Sequence, residues 1–242
     1  MISGTIGTST PDLVGGKNAL RPHILSTVRY ASWMTGARGY HHGDLRRALL
    51  AAAAVAIEES GPAALSLRDL ARRAGVSHAA PAHHFGDKPG LLTALAVEGF
   101  DLLAAALQTG DSLLEMGVAY VDFAVRRRAH FEVMYSPDLY RADAPEVVAA
   151  RGRSRAVLRS AVADLPPGPG AVGGAAGDAL AAWSIVHGFA TLWKAGALPD
   201  EAGDDPREAA RVVIRRLFGS RVADVDARGQ AAPPARSPRT PA

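Results

Sequence analysis

The chain has 242 residues and a mass of 25.1 kDa, with 27 basic and 24 acidic side chains, 48% hydrophobic residues and 21% charged ones. That length and composition suit one globular domain or two small ones around a proper core, and exclude wholesale disorder. Cysteine is absent, which excludes disulfides, thiolate catalysis and cysteine-ligated zinc or iron–sulfur sites.

The longest unbroken apolar run, Ala48 to Ile57, is too short to span a bilayer, and Ser184, His187 and Thr191 interrupt the next candidate at 179–193. The first residues do not pair a basic start with an apolar core, so neither a signal peptide nor a membrane partner is expected. A reducing, cytoplasmic setting fits. Aromatics are only 6%, and small side chains are abundant, a composition that favours close-packed helices over sheet.

The net charge of +3 is unevenly spread. Residues 93–218 sum to −3, whereas 1–37, 38–92 and 219–242 each carry +2. Five of the eight histidines (His41, His42, His78, His83 and His84) also fall in 38–92. A polyanionic partner fits that segment, as does an ordinary solvated surface.

In chain order, residues 1–37 lack a sustained period and are expected to be disordered, with Met34 an alternative translation start. Leu45, Leu49, Ala52 and Ala56 recur at helical steps and stop at Gly61-Pro62. Ser66 and Asp69 have capping-box spacing, and Leu67, Leu70, Ala71 and Ala74 form the stripe of a short second helix closed by Gly75. Ser77 is placed to cap a third helix of about two turns. Gly86 to Gly90 breaks it, and Leu91 opens a fourth. Further helices are expected at 111–128, with Leu114, Val118, Val121 and Val125 inward, and at 130–136, 145–163, 175–197 and 206–218. Pro166 to Gly170 reads as a loop, and the Pro-rich end, 219–242, as a disordered tail. The fold class is all-α: an N-terminal three-helix domain at 38–92, then a larger helical bundle at 93–218.

Two short helices about Gly75 form a helix-turn-helix, whose second member is of a size to enter the DNA major groove. Similar helix pairs also occur in bundles that touch no nucleic acid, so spacing alone leaves both readings open. The letters go further. Tyr40-His41-His42-Gly43-Asp44-Leu45-Arg46, the run Ser66 to Ser77, His84-Phe85-Gly86-Asp87-Lys88 and Leu91-Leu92 closely resemble the TetR family of bacterial transcriptional regulators. Trp183-Ser184-Ile185-Val186-His187-Gly188-Phe189 resembles the WHG-type C-terminal domain of one branch of that family.

The resemblance implies a homodimeric repressor that binds a palindromic double-stranded DNA operator and is released from it by a small-molecule effector. It implies dimerisation through the last two long helices and a cytoplasmic, nucleoid-associated protein. Carried over, Ser66 and Arg68 match the start of the second helix, where phosphate is touched. Ser77, His78, Ala79 and Ala80 match the start of the recognition helix, and Lys88 the basic residue entering the fourth. Many members have Thr-Leu-Tyr where this chain has Ala80-Pro81-Ala82. The missing tyrosine removes a phosphate contact that His83 and His84 are placed to replace. Pro81 deletes the N–H expected to bond the Ser77 carbonyl, so the helix should tighten or bend there.

Enzymatic readings are weak. Gly75-Val76-Ser77-His78-Ala79 ends in Ala and follows a helix, unlike a nucleophile elbow. Gly16-Lys17-Asn18 lacks the Ser or Thr and the first glycine of a phosphate loop. The adjacent pairs His41-His42 and His83-His84 point about 100° apart on a helix and chelate poorly, so no metal and no cofactor are expected. The remaining alternative is a DNA-binding architectural protein without a ligand. Against it stands the large acidic C-terminal segment. Pocket candidates on the central helices are Met116, Tyr120, Phe123, Met134, Trp183 and His187, each of which could equally be core. Leu180, Trp183, Ile185, Phe189 and Leu192, with Val212, Val213 and Leu217, are expected to pack across a two-fold axis.

Overall fold

The computed structural model describes residues 42–163 and 174–216. The expectations for 1–37, Met34, the 166–170 loop, Leu217, Phe218 and 219–242 lie outside those residues, as do the readings on His41 and Gly16-Lys17-Asn18. Among the described residues every regular element is helical, so the all-α expectation holds. The helices are α1 His42–Ala64, α2 Leu67–Arg73, α3 Ala80–Phe85, α4 Lys88–Leu107, α5 Leu113–Arg126, α6 Arg128–Met134, α7 Pro145–Ala163, α8 Gly174–Lys194 and α9 at 206–216. Short 3-10 turns cover Pro137–Leu139 and Asp200–Ala202.

The regular part of α1 stops at Gly61, whose φ of 75° takes a backbone shape that glycine adopts without strain. Leu49, Ala53 and Ile57 of α1 are buried against the core. Gly75 behaves as expected: its own N–H bonds the Arg72 carbonyl while Val76 N–H bonds that of Ala71, the paired bonds of a Schellman end.

The capping box does not form. The Ser66 side chain makes no cap hydrogen bond. Asp69 instead pairs with Arg72 at 2.5 Å and Arg73 at 2.6 Å, because charge-assisted bonds to guanidinium outcompete a neutral N–H. Arg73 also reaches Glu59 of α1 at 2.6 Å and so braces α2 on α1. Nor does Ser77 cap α3. Its carbonyl accepts from Ala80 three residues on, giving one tightened turn, and the helix proper starts at Ala80. Pro81 then sits in the first turn, where its missing N–H is harmless.

The break before α4 is shorter than expected. Asp87 is the N-cap, accepting from Gly90 N–H at 2.8 Å, so Lys88, Pro89 and Gly90 belong to the first turn. Pro-Gly reads as a stop, yet Pro is well suited to a helix start. Helix α4 runs unbroken through residues 92 and 93 and has eleven buried residues, among them Leu91, Leu95 and Phe100. It is long and apolar enough to cross a membrane by composition alone, but its faces are covered by α5, α6 and α7. It is the central helix of the bundle.

Neighbouring helices are tied to α4 and to one another by polar pairs. Arg153 of α7 donates twice to Asp101, at 2.9 and 2.7 Å, and buried His130 of α6 lies 3.1 Å from Glu98. Arg211 of α9 forks onto Glu115 of α5 at 3.0 and 2.9 Å and holds that carboxyl below its usual range. Helix α5 starts at a Ser112 cap and ends at Arg126, and α7 matches the expected 145–163 span. The apolar residues expected to form one stripe on α8 divide between faces. Phe189 is buried, Trp183 and Ile185 are half-buried, and Leu180 and Leu192 are exposed at 60% and 48%.

Candidate nucleic-acid interface and effector cavity

Helices α2 and α3 pack on each other through Gly75 and the loop that follows it. Ser77, His78 and Ala79 are exposed in the turn entering α3, and Ala80 is half-exposed at its first position. The run that should read base edges therefore stands clear of the core. Ser66 and Arg68 at the start of α2 are also exposed, as is His83, with His84 half-buried. Phe85 anchors the end of α3 in the core, with the Arg46 guanidinium 5.4 Å from its ring centre.

Lys88 is placed differently from a free phosphate contact. Its Nζ donates to the Ala63 carbonyl at 2.7 Å and ties the start of α4 to the end of α1. Two ammonium protons remain for phosphate. Sequence reasoning missed the partner of its neighbour, Arg141, which donates to both carboxylate oxygens of Asp87 at 2.9 and 2.8 Å. The Arg141 backbone N–H also bonds Thr93 Oγ1 at 3.1 Å. The segment between α6 and α7 is thereby clipped to the first turn of α4. The Gly90 N–H and the Arg141 guanidinium hold the Asp87 carboxyl below its usual range.

A cavity of about 500 Å³ lies among α4, α5, α7 and α8. That volume falls in the range of small-molecule sites. Phe100, Leu103 and Leu107 of α4 form part of its wall, together with Met116 of α5 and Ile214 of α9. Of the residues proposed from sequence, Met116, Tyr120, Met134 and Trp183 line it. Phe123 and His187 do not: Phe123 is core, and His187 stands behind the wall.

His187 is nonetheless bound to that wall. Tyr120 Oη lies 2.9 Å from His187 Nδ1 and 2.9 Å from Tyr135 Oη, and accepts from Trp183 Nε1 at 3.3 Å. The His187 ring also stacks on Phe131, with ring centres 5.3 Å apart. Burial lowers the His187 pKa from its ordinary 6.5, and the Lys194 ammonium lowers it further, so the ring is neutral at pH 7. Burial pushes the Tyr120 and Tyr135 phenols up, so both keep their protons. Tyr120 has one proton for two acceptors. When it donates to Tyr135, His187 presents Nδ1–H, and the Tyr135 proton is left for another group.

The sequence profile of the bacterial regulatory proteins, tetR family, matches residues 49–95, and that of the tetracyclin repressor-like C-terminal domain matches residues 113–217. The chain belongs to the TetR family. It is thus a DNA-binding transcription regulator with a helix-turn-helix. No curated protein matches the chain. Among solved structures, a protein of unknown function from Rhodococcus sp. RHA1 is 36% identical, covers 77% of this chain and all of its own, and has a TM-score of 0.62. A tetR-family regulatory protein from Rhodococcus RHA1 is 24% identical, covers 74% of this chain and 96% of its own, with a TM-score of 0.55. NalD, the secondary repressor of the MexAB-OprM multidrug efflux pump in Pseudomonas aeruginosa, is 20% identical, covers 76% and 98%, and has a TM-score of 0.51.

The TetR-family match places the helix-turn-helix in α2 and α3, as the sequence motif implied. What the motif did not reveal is the Asp87–Arg141 clip. Arg141 lies 54 positions from its partner, in a segment without periodicity. Three cavity arginines, Arg151, Arg155 and Arg159, were also missed, because a basic stripe on a helix ordinarily faces water.

Proposed function

We infer that this TetR-family chain is a homodimeric, non-enzymatic repressor in the cytoplasm, released from a palindromic operator when a small molecule fills the cavity. The observation that carries the reading is the course of α4. Its first turn is hydrogen-bonded to the end of α1 by Lys88 and to the α6–α7 segment through Asp87. Its later turns, at Phe100, Leu103 and Leu107, line the cavity. One helix of about 30 Å thus joins the reading head to the cavity, with 1.5 Å of rise per residue. A ligand that displaces those later side chains moves a rigid rod whose other end is fastened beside α3.

Ser77, His78, Ala79 and Ala80 are the base-reading residues in this account, and Ser66, Arg68, His83, His84 and Lys88 the phosphate contacts that set register. Such a reader offers methyl groups to thymine and few hydrogen bonds, so the spacing of two half-sites carries much of the specificity. The cavity favours this reading over an architectural DNA-binding protein, which has no use for one.

Dimerisation is supported by the surface of α8 and α9. Leu180, Leu192 and Val212 are exposed at 60%, 48% and 68%. Ala181, Ser184 and Thr191 are exposed on the same helix, and Gly188 has open space before it. A partner helix can approach such a face closely. Leu192→Glu combined with Val212→Glu should convert the dimer to a monomer in sedimentation velocity at micromolar concentration and abolish specific operator binding. A variant that stays dimeric, or a monomer that binds the operator as tightly as the parent, contradicts the reading.

A further inference from the structure

We propose that the cavity takes an amphipathic monocarboxylate, its apolar body against Phe100, Leu103 and Met116 and its carboxylate between the α7 arginines and the Tyr135 hydroxyl. The inference rests on the reading of this cavity as the effector site and names the chemistry it selects.

Arg151, Arg155 and Arg159 recur at four-residue steps and so share one stripe of α7, and all three line the cavity. Arg155 and Arg159 are exposed while lining it, which puts their guanidinium groups at its open side. Like charges at that spacing repel one another and weaken the helix. Among the described residues no carboxylate pairs with any of the three, whereas Arg153 on another face of α7 is bonded to Asp101. The fold therefore neutralises the arginine that points away from the cavity and leaves uncompensated those that border it.

The opposite wall supplies a neutral donor. Tyr135 lines the cavity, accepts from Tyr120, and keeps its own proton for a further acceptor. Arg155 is close enough for its charge to oppose the upward push that burial exerts on that phenol. Guanidinium and phenol together match a carboxylate, which accepts two parallel N–H bonds and a third from a hydroxyl. The rest of the wall is apolar, and a second charge on the ligand would find no partner there.

The test uses the full-length protein and two matched pairs of probes: octanoate with 1-octanol, and decanoate with 1-decanol. Affinity is read by calorimetry on the parent, on Arg151→Gln/Arg155→Gln, and on Arg153→Gln as a control outside the cavity. The parent and the Arg153 variant should bind the acid about tenfold or more tightly than the alcohol of equal length, as charge-assisted bonds predict. The double variant should bind acid and alcohol alike while keeping its affinity for the alcohol. Equal binding of acid and alcohol by the parent overturns the carboxylate assignment and leaves the effector reading standing. So does a preference that survives in the double variant. No binding of any probe overturns the amphipathic class. Selective acid binding that leaves the DNA complex intact supports the site chemistry and defeats the effector reading instead.

Discussion

Gly90→Ala should lower operator affinity about tenfold or more and lower the melting temperature, although it adds a single methyl group. A Cβ at Gly90 would lie 2.0 Å from the Phe85 carbonyl oxygen and 2.8 Å from an Arg141 guanidinium nitrogen. The guanidinium can swing away, but the carbonyl is backbone and ends the recognition helix. Phe85 is itself buried, so α3 can make room only by shifting on α4. Overpacking of this kind costs about 1–3 kcal/mol. At roughly 2–4 °C per kcal/mol for a chain of this size, the melting temperature falls by several degrees. The larger effect is on DNA, because the shifted helix no longer meets both half-sites in register. Gly152→Ala is the matched control. It lies in the middle of α7, and a Cβ there meets nothing within 4 Å. Replacing a helical glycine stabilises by about 0.5–1 kcal/mol, so this second variant should melt higher and bind DNA as before. Equal melting temperatures for the two variants, measured by calorimetry, would contradict the account of the α3–α4 junction.

Tyr120→Phe should be the most damaging loss of a single oxygen. Tyr120 is 3% exposed, and its hydroxyl is the common partner of Tyr135, His187 and Trp183, drawn from α5, α6 and α8. Removing it leaves the Trp183 N–H and one His187 ring nitrogen without that partner. A buried polar group deprived of its bond costs about 1–3 kcal/mol, and here two are affected at once. The melting temperature should drop several degrees, while operator binding by the folded protein stays close to that of the parent. The hydroxyl is far from α3, so the defect should show in stability and in the cavity. Operator binding lost without any change in melting temperature would sink this assignment.

Local chemistry made the reading head legible in the sequence. Gly75 announced its own turn because a left-handed residue after a short helix is best served by glycine, and the structure supplies both Schellman bonds there. The four-residue recurrence of Leu45, Leu49, Ala52 and Ala56 located α1 for the same reason: its cause lies within a few residues. Errors arose where two local signals competed. Ser66 and Asp69 have the spacing of a capping box, but Arg72 and Arg73 lie at the distances that let one carboxylate take two guanidinium groups. Pro89-Gly90 signals a break, yet Asp87 before it supplies a cap that turns the same proline into a helix start.

The cavity was legible only in part, because it is made by packing. Apolar periodicity marks Met116, Tyr120, Phe123 and Met134 as inward-facing without distinguishing core from cavity wall. Phe123 proved to be core. His187 was conspicuous as a polar residue between Val186 and Gly188, but its partner is 67 positions earlier and no spacing rule connects them. Arg151, Arg155 and Arg159 were least visible, since only the packing of α7 on α4 and α8 turns a basic helix stripe into the border of a cavity.

The central claim is that the exposed turn from Ser77 to Ala80 reads DNA in sequence. The direct measurement is selection of genomic fragments by the purified full-length protein, followed by fluorescence anisotropy on the enriched fragment across a salt series. The account predicts a fragment with two inverted half-sites, bound at least a thousandfold more tightly than a scrambled one, in the usual range of specific over nonspecific binding. Affinity should fall steeply with salt, and Arg68→Ala should reduce the salt slope by about one. Enrichment of no common sequence, or equal affinity for scrambled DNA at every salt concentration, would contradict it.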